Sequence, residues 1–476
     1  MKRPGLVLLA LASLCGCAAA RCGRGSIGET AGSRTLAIRA NAEAAGADGS
    51  DERPFPNIGA ALEAARDGDT LELRPGIYRE ALRVEREVTL RGTRAAIIAP
   101  ADGAEFAIEA RARTTIEGLS VRGAAIGLRA AAPCALRGVG FSGQSRRAVA
   151  VEGARAELTG CSLSTEGGAR DLVGIELTEG AEAVVRDSTL EGPFRFGVRA
   201  LGGALHVERS VIEGAVVGVA CREGCQGRVR TSFLTAGRGA GLVAGERARL
   251  EVRDTVVSRF EQCLVANKGS HLVAEDVTTA FCQLSGIASV SARLEARHHI
   301  HLTPARGAGI EILGGEALVE EGLVIDPGST GMTVRAAKAT IRGTLVRGAR
   351  RDRDRDGDFG DGIFALWPER LRLESPFLER NEGTGLTAHG GNKIEALGLE
   401  AHGNGLSGVV AQAKGEVRLI GPHVSGSSMS GLVAVEGSSV RAVGANLRGN
   451  AAGPAFARCD EGASIDVDNA GFCGER

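Results

Sequence analysis

The chain has 476 residues and is nearly neutral, with 57 basic and 58 acidic side chains and a net charge of −1. That balance excludes a global field that would gather nucleic acid. Aromatics are only 3% of residues, with one Trp and one Tyr, so few flat faces exist for a sugar ring; the 70 glycines imply many tight turns.

The N-terminal stretch MKRPGLVLLALASLCGCAAA reads as an export signal. Lys2 and Arg3 precede an apolar run, Gly5 to Leu14, that is too short to span a bilayer. Leu14-Cys15-Gly16-Cys17 looks like a bacterial lipobox. Cys17 follows a small residue, as a lipid anchor requires, whereas Cys15 follows Leu14. The domain expectation is therefore a lipoprotein signal peptide over 1–16, a tether over 17–34 and one repeat domain over 35–476. Ordinary cleavage near Ala18 to Ala20 is the alternative. The destination is the cell envelope, at the outer membrane or cell surface, with the membrane held through the lipid.

From the middle of the chain onward a small residue followed by an apolar one recurs. It appears at Gly197-Val198, Gly218-Val219, Gly241-Leu242, Cys263-Leu264, Gly286-Ile287, Gly309-Ile310 and Gly331-Met332, and again at Gly362-Ile363, Gly385-Leu386, Gly408-Val409 and Gly431-Leu432. The steps are 21 to 23 residues, broken once by a step of 31. Within each copy the apolar residues alternate with period two, as in GLTAH (Gly385 to His389), which is a strand pattern. Such short units close no core alone but do so when stacked. The fold class is all-β: a single-stranded right-handed parallel β-helix solenoid of some eighteen coils with a short N-terminal capping helix. The segment Asp48 to Glu80, with a helix expected over Ile58 to Ala65 and GDTLELRPGIYRE after it, resembles the opening of the bacterial right-handed β-helix family with the pectin-lyase-like fold. Another family-like feature is the row Asn381, Asn404, Ser427 and Asn450, spaced by 23, which fits a hydrogen-bonded ladder inside a turn. The resemblance implies a fold shared by lyases, hydrolases, epimerases, adhesins and inert scaffolds.

Cysteines and charges supply the site candidates. In an oxidising compartment Cys221 and Cys225 are expected to close one turn and Cys459 and Cys473 to tie the C-terminal end. Cys263 and Cys282 lie about one repeat apart and are candidates to bridge neighbouring coils, and Cys22 is the expected odd thiol. The outward row two residues after each marker, Glu176, Arg199, Ala220, Val243, Val265, Ala288, Glu311 and onward, holds no adjacent carboxylates for paired acid–base work. Asp254, Asp276 and His298 lie 22 apart and stack as one column, either a polar turn position or a proton-sharing or metal group. His299 and His301 can share a strand face and hold a metal weakly.

The 31-residue step contains RRDRDRDGDFGDG, a loop extruded from one coil. Asp352, Asp354, Asp356 and Asp358 match the first part of a calcium loop, with Asp361 standing in for the missing twelfth-position glutamate. Arg350, Arg351, Arg353 and Arg355 compete for the same carboxylates, so a candidate calcium site and a solvated salt-bridged turn both fit. The function expected is a monomeric, non-catalytic binding or scaffold protein whose ligand is a cell-surface or extracellular polysaccharide. The alternative is a calcium-assisted polysaccharide lyase, or another polysaccharide-active enzyme such as a glycoside hydrolase. For the lyase, Arg335, Arg372 and Lys393 are the nearest cations to the loop.

Overall fold

A computed structural model of the chain describes residues 33–165, 171–302, 307–351, 360–391 and 393–472. Cys17, Cys22, Asp352, Asp354, Asp356, Asp358 and Cys473 lie outside them.

The short apolar segments are too brief to bury two faces, and each meets its equivalent one repeat later. Among the described residues, sixteen third strands form one all-parallel sheet, from Gly76–Tyr78 to His423–Ser425. The first and second strands of the coils make the other, thirty-five-stranded sheet. Parallel strands joined this way give a right-handed parallel β-helix. It has about 16 coils, not eighteen. At a strand spacing of about 4.8 Å the rod is about 75 Å long. The extra copies counted at the ends are lost because the ends cap instead of coiling. Residues Ser464–Val467 turn back antiparallel onto Ala470–Phe472 at the C-terminal end. At the other end the helix Ile58–Ala64 buries Ile58 and Ala61. Asn57 caps it by accepting from the Ala60 amide at 2.8 Å, and the Glu80 carboxylate takes the amides of Ile58 and Gly59 at 2.9 and 2.8 Å.

The marker residues stand in direct register. Val219 faces Leu242, then Leu264, Ile287, Ile310, Met332, Ile363, Leu386, Val409 and Leu432. All are fully buried, and they form one apolar column. The 31-residue step leaves this register intact, since Met332 pairs with Ile363. Glycine precedes the column for a steric reason. A Cβ at Gly309 or Gly331 would stand 2.6 Å from the carbonyl oxygen of the equivalent glycine in the next coil.

Two disulfides brace the middle of the rod, Cys221–Cys225 and Cys263–Cys282. Cys459 is disulfide-bonded, and its expected partner Cys473 is among the undescribed residues. Cys134 and Cys161 are free, buried thiols; burial pushes the Cys134 thiol up to about 12, which makes it inert packing.

Candidate functional site

The column of Asp254, Asp276 and His298 is first of all a backbone feature. These residues, with Asp187, Arg209, Thr231 and Glu321, all hold φ between 46° and 53°. They form the left-handed bend that turns the second strand into the third. The bend brings His298 Nδ1 to 3.4 Å from Asp276 Oδ1, and His298 Nε2 to 3.2 Å from Glu321 Oε2, a partner the spacing argument had not included. Asp276, His298 and Glu321 are all more than half exposed. Among the described residues no group of three or more His, Cys, Asp or Glu side chains is placed to hold a metal ion.

His299 and His301 do not form a surface pair. Both point into the core, fully buried, joined through Thr279, whose Oγ1 lies 3.1 Å from His299 Nε2 and 2.8 Å from His301 Nδ1. Burial pushes His299 down to about 4; burial, with repulsion from His299, pushes His301 down to about 3. Of the calcium-loop aspartates only Asp361 is described. It is buried, and its Oδ1 accepts from the Thr384 amide at 2.7 Å, so that oxygen fastens the following turn.

The outward row after the markers is small and apolar as expected, with Ala220, Val243 and Val265 in contact. Among the charged residues of the row, Glu176 is buried and paired with Arg147 and Arg199, a structural triplet.

The chemistry that stands open lies on the outer face of the second strands, towards the C-terminal end. There Arg370, Arg372, Lys393, Arg418 and Arg441 line an open groove of about 820 Å³ with Glu369, Glu395 and Glu416. Five cations face three carboxylates. In register, Arg372 adjoins Glu395, Glu395 adjoins Arg418, and Arg418 adjoins Arg441, so two guanidinium side chains stand on neighbouring strands. Like charges so placed repel unless an anion lies between them. Their acidic partners are distant: Arg418 to Glu395 is 4.0 Å, Arg441 to Asp466 is 3.7 Å and Lys393 to Glu416 is 3.8 Å. Upstream on the same face the pairs are close, with Arg297–Glu320 at 3.0 Å and Arg342–Glu320 at 2.8 Å. The Lys393 side chain is 89% exposed, so this end of the groove is solvated and its ion pairs are loose. Arg372 and Lys393, picked out by register with the acidic loop, fall in this groove. Arg418 and Arg441 were missed, although their spacing of 23 was visible.

Beside it, on the first strands, a shallower groove of about 200 Å³ is lined by residues including Phe364, Thr387, Val410, Gln412 and Met429. Trp367 stands between the two faces at the turn, half exposed.

No protein-family model and no curated protein matches the chain. Solved structures similar to it include a double mutant of the periplasmic alginate epimerase AlgG, at 12% identity and a TM-score of 0.35 over 83% of this chain and 77% of that one. The tailspike protein of the E. coli bacteriophage HK620, in complex with a hexasaccharide, is similar at 10% identity and 0.40, over 83% and 73%. The A-module of the Azotobacter vinelandii mannuronan C-5 epimerase AlgE4 is similar at 14% and 0.21, over 88% and 89%. The fold assignment rests on the strand register above.

Proposed function

We propose that the chain is an exported, lipid-anchored β-helix of the bacterial cell envelope that binds an acidic polysaccharide without cleaving it. One observation carries this reading: the groove in which Arg418 and Arg441 adjoin, with their acidic partners 3.7–4.0 Å away. Carboxylates on a polymer answer that spacing, because each guanidinium donates two parallel hydrogen bonds to a planar carboxylate. The row runs Arg372, Glu395, Arg418, Arg441, so a polymer along the rod meets cations on two adjoining coils. Lys393, opposite Glu416 in the neighbouring row, adds charge beside them. The lipid-anchor motif at Cys17 and the lack of paired carboxylates on the outward first-strand row fit a tethered binder better than a free enzyme. Calcium has no part in this reading.

Affinity electrophoresis through gels carrying a polyuronate, with a neutral glucan as control, tests it. The protein should be retarded by the polyuronate alone. Arg418→Gln with Arg441→Gln should weaken that retardation about ten-fold, consistent with roughly 1.4 kcal/mol lost from two exposed charge contacts. Equal retardation in both gels, or an unaffected double variant, would overturn the proposal.

A further inference from the structure

The only tryptophan in the sequence sits where its neighbours have almost no side chain. At the turn from first to second strand, the equivalent residues of the adjoining coils are Ala336 and Gly390, and Trp367 shares with them a left-handed backbone, at φ 45°. A bulky residue in that region is strained, and a buried packing role does not account for it, because the side chain is 50% exposed. The indole instead lies over Gly390, where a Cβ would collide with its ring. It meets the His389 imidazole edge-on, with ring centroids 5.6 Å apart and planes at 75°. Gln412 Nε2 lies 3.1 Å from His389 Nδ1. An amide nitrogen only donates, so Nδ1 is the acceptor and the imidazole proton sits on Nε2. That arrangement leaves the ring Nε2–H as a donor and the Gln412 carbonyl oxygen as an acceptor. Gln412 also lines the shallow groove, and Glu369 and Arg370, just after Trp367, line the charged one.

We propose that Trp367 is a stacking platform for a pyranose ring, with His389 and Gln412 addressing the hydroxyls of the ring it holds. An aromatic face pairs with the apolar C–H face of a sugar, while a donor and an acceptor at its edge read equatorial hydroxyls. This inference rests on the ligand being a carbohydrate. It adds a second subsite, at the corner between the two sheets, so that the polymer is held by charge on one face and by stacking at the bend.

The lone tryptophan makes the test direct. Tryptophan emission is followed while the full chain is titrated with a mannuronate hexasaccharide, and affinity is measured in parallel by calorimetry. A saturable change in emission is expected, with Trp367 shielded from acrylamide in the complex. Trp367→Gly, the residue already tolerated at position 390, should weaken affinity at least ten-fold while leaving the melting temperature unlowered; Trp367→Phe should recover part of the loss. Binding with wild-type affinity to Trp367→Gly, or binding that leaves emission unchanged, overturns the platform. If that occurs while Arg418→Gln with Arg441→Gln still weakens binding about ten-fold, the platform alone is wrong and the acidic-polymer reading stands. If calorimetry detects no binding of the hexasaccharide to the wild-type chain, both fall.

Discussion

Thr279, His299 and His301 show how one residue type changes meaning with burial. In sequence HHIH suggests a metal-binding surface strand; in the fold two of its imidazoles are core residues sharing one hydroxyl. Thr279 Oγ1 has a single proton, so it donates to one ring and accepts from the other. His299 Nδ1 and His301 Nε2 then remain buried without a partner. Both rings are held neutral, at about 4 and about 3, against about 6.5 in an unfolded chain. The unfolded chain therefore binds more protons below pH 6.5. The stability these groups allow is complete above that pH and is lost as pH falls towards 4, by up to about 2.7 kcal/mol per pH unit for the pair. Thermal melts between pH 7 and pH 5 should show a steep fall in the wild type and a much shallower one in His299→Leu with His301→Leu. Identical slopes would mean that the two rings do not titrate as the fold requires.

At the scale of the element, the ladders explain how irregular turns are held in register. The Asn381 amide nitrogens, backbone and side-chain, both donate to Asn404 Oδ1, at 3.2 and 3.0 Å, and the Ser427 amide donates to Asn450 Oδ1 at 3.1 Å. Ser427 interrupts the row, and its buried Oγ has no partner. Ser427→Asn should complete the ladder and stabilise the protein by about 1 kcal/mol, read as a higher midpoint in denaturant; a lower midpoint would show that the turn has no room for the amide. This asparagine row was legible in the sequence because four residues at one spacing, three of them identical, are a strong signal. The markers were legible too, because most of the coils place glycine where backbones approach across coils, with Cys263 the substitute in one. A second ladder was not. Ser188, Ser210, Ser232 and Thr255 each accept from the amide one coil back, at 3.1–3.4 Å. Single hydroxyls at a spacing of 22 or 23 look like any polar turn. The left-handed bend through Asp254, Asp276 and His298 was hidden for the same reason, since Asp, Arg, Thr, His and Glu share no chemistry there, only a backbone angle.

For the whole molecule, the rod separates duties by face. Apolar columns fill the interior, the helix and the C-terminal hairpin close the ends against strand addition, and the outer face of the second strands carries long runs of charge. Along much of that face arginine and glutamate alternate and neutralise one another within 3.2 Å, as in Arg186–Glu208, Arg253–Glu275 and Arg297–Glu320. The alternation fails at Arg230 and Arg253, and again near the C-terminal end at Arg418 and Arg441, where the groove opens. The near-zero net charge hides this asymmetry, because a local excess of cations leaves no trace in the total. The site was thus legible only in part: Arg372 and Lys393 stood out by register with the acidic loop, while Arg418 and Arg441 gained their meaning from a sheet face that the first-strand survey does not cover.

On the proposed function the rod binds an acidic polysaccharide and leaves it intact. Purified protein is incubated with polyuronates at concentrations where binding saturates, with and without calcium, and the ultraviolet absorbance of unsaturated products is followed. A flat trace is expected under both conditions while the polymer is bound. A rise in absorbance would contradict it, and would make the protein a lyase.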